Sequence, residues 1–206
     1  MSQLLALDVA ILLPPEARAR ATAVSRALGG DQKTGVLLDE SHLPHITLTQ
    51  QFIRSDETDV AFGFIDDVLR GQAPLRIRVT GAAKSGHSVW MAVEPTDAIV
   101  KLHERLMEVL RGLERPAGTA AAFYEGDARV GDVVWVTGYR LKSSLGAYTP
   151  HVTLGQATDV PEIEPFAFDA STAAACHLGR FCSCRRVLRS WELIQAGRIG
   201  SGGPAR

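Results

Sequence analysis

The sequence predicts an α+β fold of two lobes about a central cleft, on three observations. Strand-like and helix-like stretches alternate along 206 residues with no long linker. Several strands pair across short turns, which implies mainly antiparallel sheets. One seven-residue segment also recurs roughly a hundred positions later, which implies a duplicated unit and two sheets related by a pseudo-twofold axis. Helices are expected on the outside of both sheets.

The elements follow in order. Leu4–Leu13 is apolar except for Asp8 and reads as a first strand. The run is too short to span a bilayer and no basic leader precedes it, so a cytoplasmic protein is expected. Pro14-Pro15-Glu16 suits a helix's first turn, and Gly29-Gly30 ends that helix. Pro44–Ile53 reads as a strand. Ser55 or Asp56 caps a helix running to about Arg70, closed by Gly71. Leu75–Ala83 and Ser88–Glu94 form a hairpin across Lys84-Ser85-Gly86-His87. Asp97–Leu113 is the strongest helix, with Ile99, Leu102, Leu106, Val109 and Leu113 at helical spacing. Asp132–Tyr139 and Pro150–Gln156 read as strands, followed by short strands at Pro165–Asp169 and Ala173–Leu178 and a last one at Arg185–Gln195. Residues 1–199 are expected to form one domain, and the Gly-rich segment 200–206 a disordered tail.

Composition narrows the function. Hydrophobic residues make up 46% and charged residues 22%, the balance of an ordinary globular protein. A net charge of −1 provides no broad positive field for a long duplex nucleic acid, but leaves room for a substrate with one or two phosphates. A monomer is expected, with no membrane partner. The three cysteines, Cys176, Cys182 and Cys184, are odd in number and lack Cys-x-x-Cys spacing, so reduced thiols are expected rather than disulfides or zinc.

The repeat carries the chemistry. Pro44-His45-Ile46-Thr47-Leu48-Thr49-Gln50 returns as Pro150-His151-Val152-Thr153-Leu154-Gly155-Gln156, with five of seven positions identical. On a strand, side chains alternate between faces. His45, Thr47 and Thr49 then share one face opposite Ile46 and Leu48, and His151 and Thr153 share a face opposite Val152 and Leu154. An imidazole and a hydroxyl two residues apart on a strand can contact two oxygens of one phosphate. Two such strands facing each other supply a base for an attacking oxygen and an acid for a leaving one. Histidine titrates near neutrality, and each well-placed proton transfer is worth about 10²–10⁴ in rate. The hydroxyls of Thr47 and Thr153 would hold the non-bridging oxygens. A metal would need a third ligand, and neither motif has an Asp, Glu or Cys beside it on its strand face; no metal and no cofactor are expected.

The paired Pro-His-Ile-Thr-Leu and Pro-His-Val-Thr-Leu resemble the 2H phosphoesterase superfamily, which includes the 2′-5′ RNA ligase-like proteins and cyclic phosphodiesterases. The resemblance implies metal-independent hydrolysis of 2′,3′-cyclic phosphates on RNA ends or small nucleotides, with His45 and His151 catalytic and Thr47 and Thr153 binding phosphate. RNA end joining by the same four residues, and a nucleotide-binding module without turnover, remain open. The sequence does not say which histidine is the base; analogy gives His151 that role and makes His45 the acid. Further substrate contacts are expected from Tyr148, by stacking on a base, and from Thr49, Arg76, Arg78 and Lys84. Trp90 is expected in the core.

Overall fold

The structure is a computed structural model that describes residues 3–30 and 33–194. The tail at 200–206 falls outside them. Among these residues eight strands form two four-stranded antiparallel sheets, accompanied by four α-helices. The strands are β1 (Leu4–Leu12), β2 (His45–Arg54), β3 (Leu75–Ser85), β4 (Ser88–Val93), β5 (His151–Gln156), β6 (Phe166–Ala170), β7 (Thr172–Leu178) and β8 (Cys184–Glu192). The helices are α1 (Pro15–Ala27), α2 (Thr58–Leu69), α3 (Asp97–Val109) and α4 (Val130–Lys142).

One sheet has the order β2-β1-β7-β8 and the other β5-β4-β3-β6. Each motif strand is therefore an edge strand beside the opening strand of its own repeat. One strand of each repeat crosses over: β3 pairs with β4, and β7 pairs with β1. Helices cross too. α1, from the first repeat, packs on β5, and α3, from the second, packs on β2.

β1 shows how the pattern sets the layers. Leu7, Val9 and Ile11 enter the main core, which also takes Ile46, Leu48, Val152 and Leu154 from the motif strands. Ala6 and Ala10 face the other way, into smaller clusters. The apolar partners of each histidine motif thus anchor it to the core, as alternation predicts, and the opposite faces line the space between the sheets.

The segment Asp132–Tyr139 is not a strand but the centre of α4. Its Val-rich stretch imitates a strand, but the buried positions Asp132, Val136 and Tyr139 are spaced four and three apart, a helical period. Asp132 sits at the helix's third position, and its Oδ2 accepts the Arg129 backbone N–H at 2.9 Å, closing the first turn. α4 is also not on the outside. With Val136 packed against Phe52, Ala122 and Phe123, it lies over the inner face of the first sheet. α1, α2 and α3 take the outer positions expected of helices.

Two smaller differences follow from local geometry. α3 ends at Val109 and continues as a 3₁₀ turn to Leu113, and the helix after β2 begins at Thr58 behind another 3₁₀ turn. Among the described residues, no helix is long and apolar enough to cross a membrane.

Candidate active site

The inner faces of the two sheets and α4 enclose a cavity of about 660 Å³. His45, Thr47, His151 and Thr153 all line it, brought together from edge strands 106 residues apart in sequence. Each histidine is held in the same way. The His45 Nδ1–H donates to the Leu43 carbonyl at 2.8 Å, and the His151 Nδ1–H donates to the Thr149 carbonyl at 2.8 Å. The carbonyl two residues back thus fixes the tautomer of both rings and leaves each Nε2 as the ring nitrogen not engaged by it. The prolines at 44 and 150 lie between each histidine and its carbonyl, which keeps that segment extended.

Both motif strands carry a bulge at the same place. Val9 pairs with Thr49 and Ala10 with Thr47, leaving Leu48 extra; Val89 pairs with Gly155 and Trp90 with Thr153, leaving Leu154 extra. The bulge resets the alternation. Thr49 is consequently buried off the cavity, and Gln50 takes the cavity position expected for it. The freed carbonyl of Leu48 accepts the Nδ1–H of buried His103, whose Nε2 accepts the Leu145 N–H at 2.8 Å.

The equivalent neighbours of the two histidines differ in chemistry. Asp8 pairs with Gln50, and its counterpart Ser88 pairs with Gln156. Ala10 is opposite Thr47, and its counterpart Trp90 is opposite Thr153. His45 therefore has a carboxylate beside it, with Asp8 Oδ2 3.7 Å from Nε2. Asp8 is fully buried; its Oδ2 accepts Thr47 Oγ1–H at 2.9 Å and Gln50 Nε2–H at 2.7 Å. Burial raises the Asp8 carboxyl above its usual range, while His45 and these two donors pull it back. His151 instead has the Trp90 indole, at 5.6 Å between ring centroids. Burial lowers its pKa, and the His45 charge adds to that, against the Thr149 carbonyl bond.

Gln50 extends the network. Its amide donates to Asp8, so its Oε1 is free to accept the Trp135 Nε1–H at 2.9 Å. Trp135, on α4, lines the cavity and is 47% exposed, a large amount for an indole in that position. Arg129 is the one arginine or lysine among the described lining residues; it pairs with Asp132 and lies 3.7 Å over the Phe181 ring.

The softer sequence expectations divide. Tyr148 lines the cavity, but its ring stacks on His103 at 3.9 Å and its hydroxyl donates to the Thr47 carbonyl at 2.9 Å, so it is built into the wall between the motifs. Arg76 and Arg78 are outside the cavity, paired with Asp169 and Glu94. Lys84 is outside it as well, bonded to the Thr158 carbonyl. Trp90, expected in the core, is a lining residue. Sequence reasoning also missed Asp8, Gln50 and Trp135. Asp8 was visible as the one charge in an apolar strand, a pattern that marks a buried polar group with a partner. Trp135 was hidden by the strand reading of its helix. The premise that no carboxylate or thiol accompanies the motifs holds along each strand but not across the sheet: Asp8 and Cys184 both approach His45.

A two-sheet fold with a His-x-Thr pair on each side of one cleft defines the 2H phosphoesterase class. A sequence model of the 2′-5′ RNA ligase superfamily matches residues 13–182, and the chain belongs to that superfamily. Among solved structures, the Thermus thermophilus protein TT0787 has a TM-score of 0.61 at 19% identity, over 92% of this chain and 98% of that one. E. coli LigT in apo form has a TM-score of 0.59 at 18% identity, over 94% of this chain and 100% of that one. The MHV ns2 PDE domain has a TM-score of 0.52 at 14% identity, over 84% of this chain and 99% of that one. These similarities concern the fold. No curated protein matches the chain.

Proposed function

We propose that the protein is a phosphodiesterase that opens 2′,3′-cyclic phosphates on RNA ends or small nucleotides, with His151 as general base and His45 as general acid. The observation that carries this reading is the matched anchoring of two Nε2 atoms toward one cavity, with a carboxylate beside one ring and an indole beside the other. A buried imidazole whose pKa is held down is neutral near pH 7 and can take a proton from water. On the other side Asp8 Oδ2 lies 3.7 Å from His45 Nε2, placed to face an N–H carried there. Water attacks phosphorus and gives its proton to His151 Nε2. The P–O bond to one ribose oxygen breaks, and His45 Nε2–H protonates that oxygen. The product is a phosphomonoester on the neighbouring oxygen, and the imidazoles exchange protonation states before the next turnover.

The Thr153 hydroxyl is available for a non-bridging oxygen. The Thr47 hydroxyl donates to Asp8, so it reaches the phosphate by turning from that carboxylate. Trp135 offers a half-exposed indole for a nucleobase. E. coli LigT is known in complexes with 3′-AMP, ATP and NADP⁺, which favours a nucleotide as the substrate class here.

The test is a panel of nucleoside 2′,3′-cyclic phosphates incubated with the protein in EDTA, with products resolved by chromatography. Turnover should persist in chelator and fall by about 10²–10⁴ in His45→Ala and in His151→Ala. Undiminished activity in either variant would sink the scheme, and binding without turnover would make the protein a recognition module.

A further inference from the structure

We propose that Asp8, His45 and Cys184 form a binding site for a thiophilic divalent cation, with Zn²⁺ the fitting ion, and that occupancy shuts the active site down. Among the described residues they are the one group of three whose oxygen, nitrogen and sulfur ligand atoms all lie within 4.8 Å of one another. The three residues come from separate strands: β1, β2 and β8.

The surroundings are those of a ligand set. His45 Nδ1–H is fixed on the Leu43 carbonyl, which aims Nε2 into the group; a histidine ligand typically donates its other ring N–H in this way. The same Leu43 donates its N–H to the Cys184 carbonyl at 3.1 Å, so one residue holds two of the ligands. Asp8 Oδ2 is already oriented by Thr47 and Gln50. Its Oδ1 is buried with no hydrogen-bond partner, in a residue with no exposed surface. A buried carboxylate oxygen left bare is costly, and a cation beside it removes that cost. Burial pushes the Cys184 thiol well up, so a bound ion displaces its proton to solvent; the thiolate formed, one carboxylate and a dication then sum to zero, which suits a site as dry as this one. An O, N and S donor set favours zinc-like ions over magnesium or calcium.

A bound ion would occupy the Nε2 lone pair of His45, the atom that passes the proton in the proposed reaction. Inhibition therefore rests on that reading; binding does not. His151 has no such group about it among the described residues, so one ion per chain is expected.

The experiment uses the full chain stripped with EDTA and titrated with Co²⁺. A thiolate-to-cobalt charge-transfer band in the near ultraviolet should saturate at one equivalent. Cys184→Ser should abolish it, Cys182→Ser should leave it, and Asp8→Asn should weaken the affinity. If Cys184→Ser does not fold, Cys184→Ala replaces it, since that side chain packs among Ala10 and Ala174. Zn²⁺ should inhibit cyclic phosphate hydrolysis in the wild type, reversibly with EDTA. Cys184→Ser should keep basal turnover and require about 10- to 100-fold more Zn²⁺ for the same inhibition. Absence of the band in the wild type, or its survival in Cys184→Ser, overturns the site. A band without any turnover leaves the site standing and overturns the phosphodiesterase reading instead.

Discussion

At the scale of single residues, the two halves of the cavity are alike in backbone and opposite in chemistry. Asp8 and Ser88 occupy equivalent positions, as do Ala10 and Trp90. The differences give one imidazole a carboxyl group and the other an aromatic wall, so the two rings sit in unlike surroundings. Burial and the His45 charge hold the His151 pKa below its ordinary value, so the ring remains neutral as pH falls through about 6.5 and gains its proton only lower. The acid limb of the kcat/KM profile should therefore fall below pH ~6.5. Trp90→Ser, which admits water to the ring, should move that limb upward. A limb at or above 6.5 in the wild type, located by steady-state kinetics from about pH 4.5 to 9, would show that another group is the base.

At the scale of elements, the paired bulges and α4 decide what the cavity contains. The only non-conservative mismatch between the two heptapeptides, Thr49 against Gly155, has a backbone cause. Gly155 sits at φ +153°, and a Cβ there would lie 3.0 Å from the Val36 carbonyl oxygen. Gly155→Ala should destabilise the protein by about 1–3 kcal/mol, read from urea unfolding, whereas Thr49→Ala carries no such conformational cost. On α4, Trp135→Ala should raise KM for a nucleoside cyclic phosphate by about tenfold, in line with stacking worth roughly 1–3 kcal/mol. It should leave the turnover of a base-free phosphodiester unchanged, and Trp135→Phe should recover most of the loss. Equal effects on both substrates would assign Trp135 to packing alone.

These elements also mark where the sequence is readable. The motif strands are legible because Ile46, Leu48, Val152 and Leu154 all face the core. The bulges are not, since a one-residue slip in pairing leaves no trace in hydrophobic alternation, and alternation alone misplaces Thr49 for that reason. α4 reads as a strand because Val133, Val134, Val136 and Thr137 favour strands locally, while tertiary packing against Phe52 and Phe123 selects the helix.

At the scale of the molecule, the pseudo-twofold relation and the cleft follow from the repeat alone, but the crossing of strands does not, because pairing partners are not written in either repeat. β3 completes the sheet of the second motif, β7 completes that of the first, and a single main core takes residues from both. Unfolding should therefore be one cooperative event. A variant keeping only Trp191, in contact with Phe62, and one keeping only Trp90, beside His151, should give coincident urea transitions by fluorescence. Separated midpoints would mean that the sheets stand independently.

That crossing has a consequence for symmetry as well. Two half-length copies that traded strands in this way would enclose the same space between them, with one histidine contributed by each polypeptide. Such a homodimer would be strictly symmetric, its two imidazoles in identical surroundings and neither committed to giving or taking a proton. A single chain carries no such constraint, and Asp8 in one half where the other has Ser88 is the asymmetry it permits.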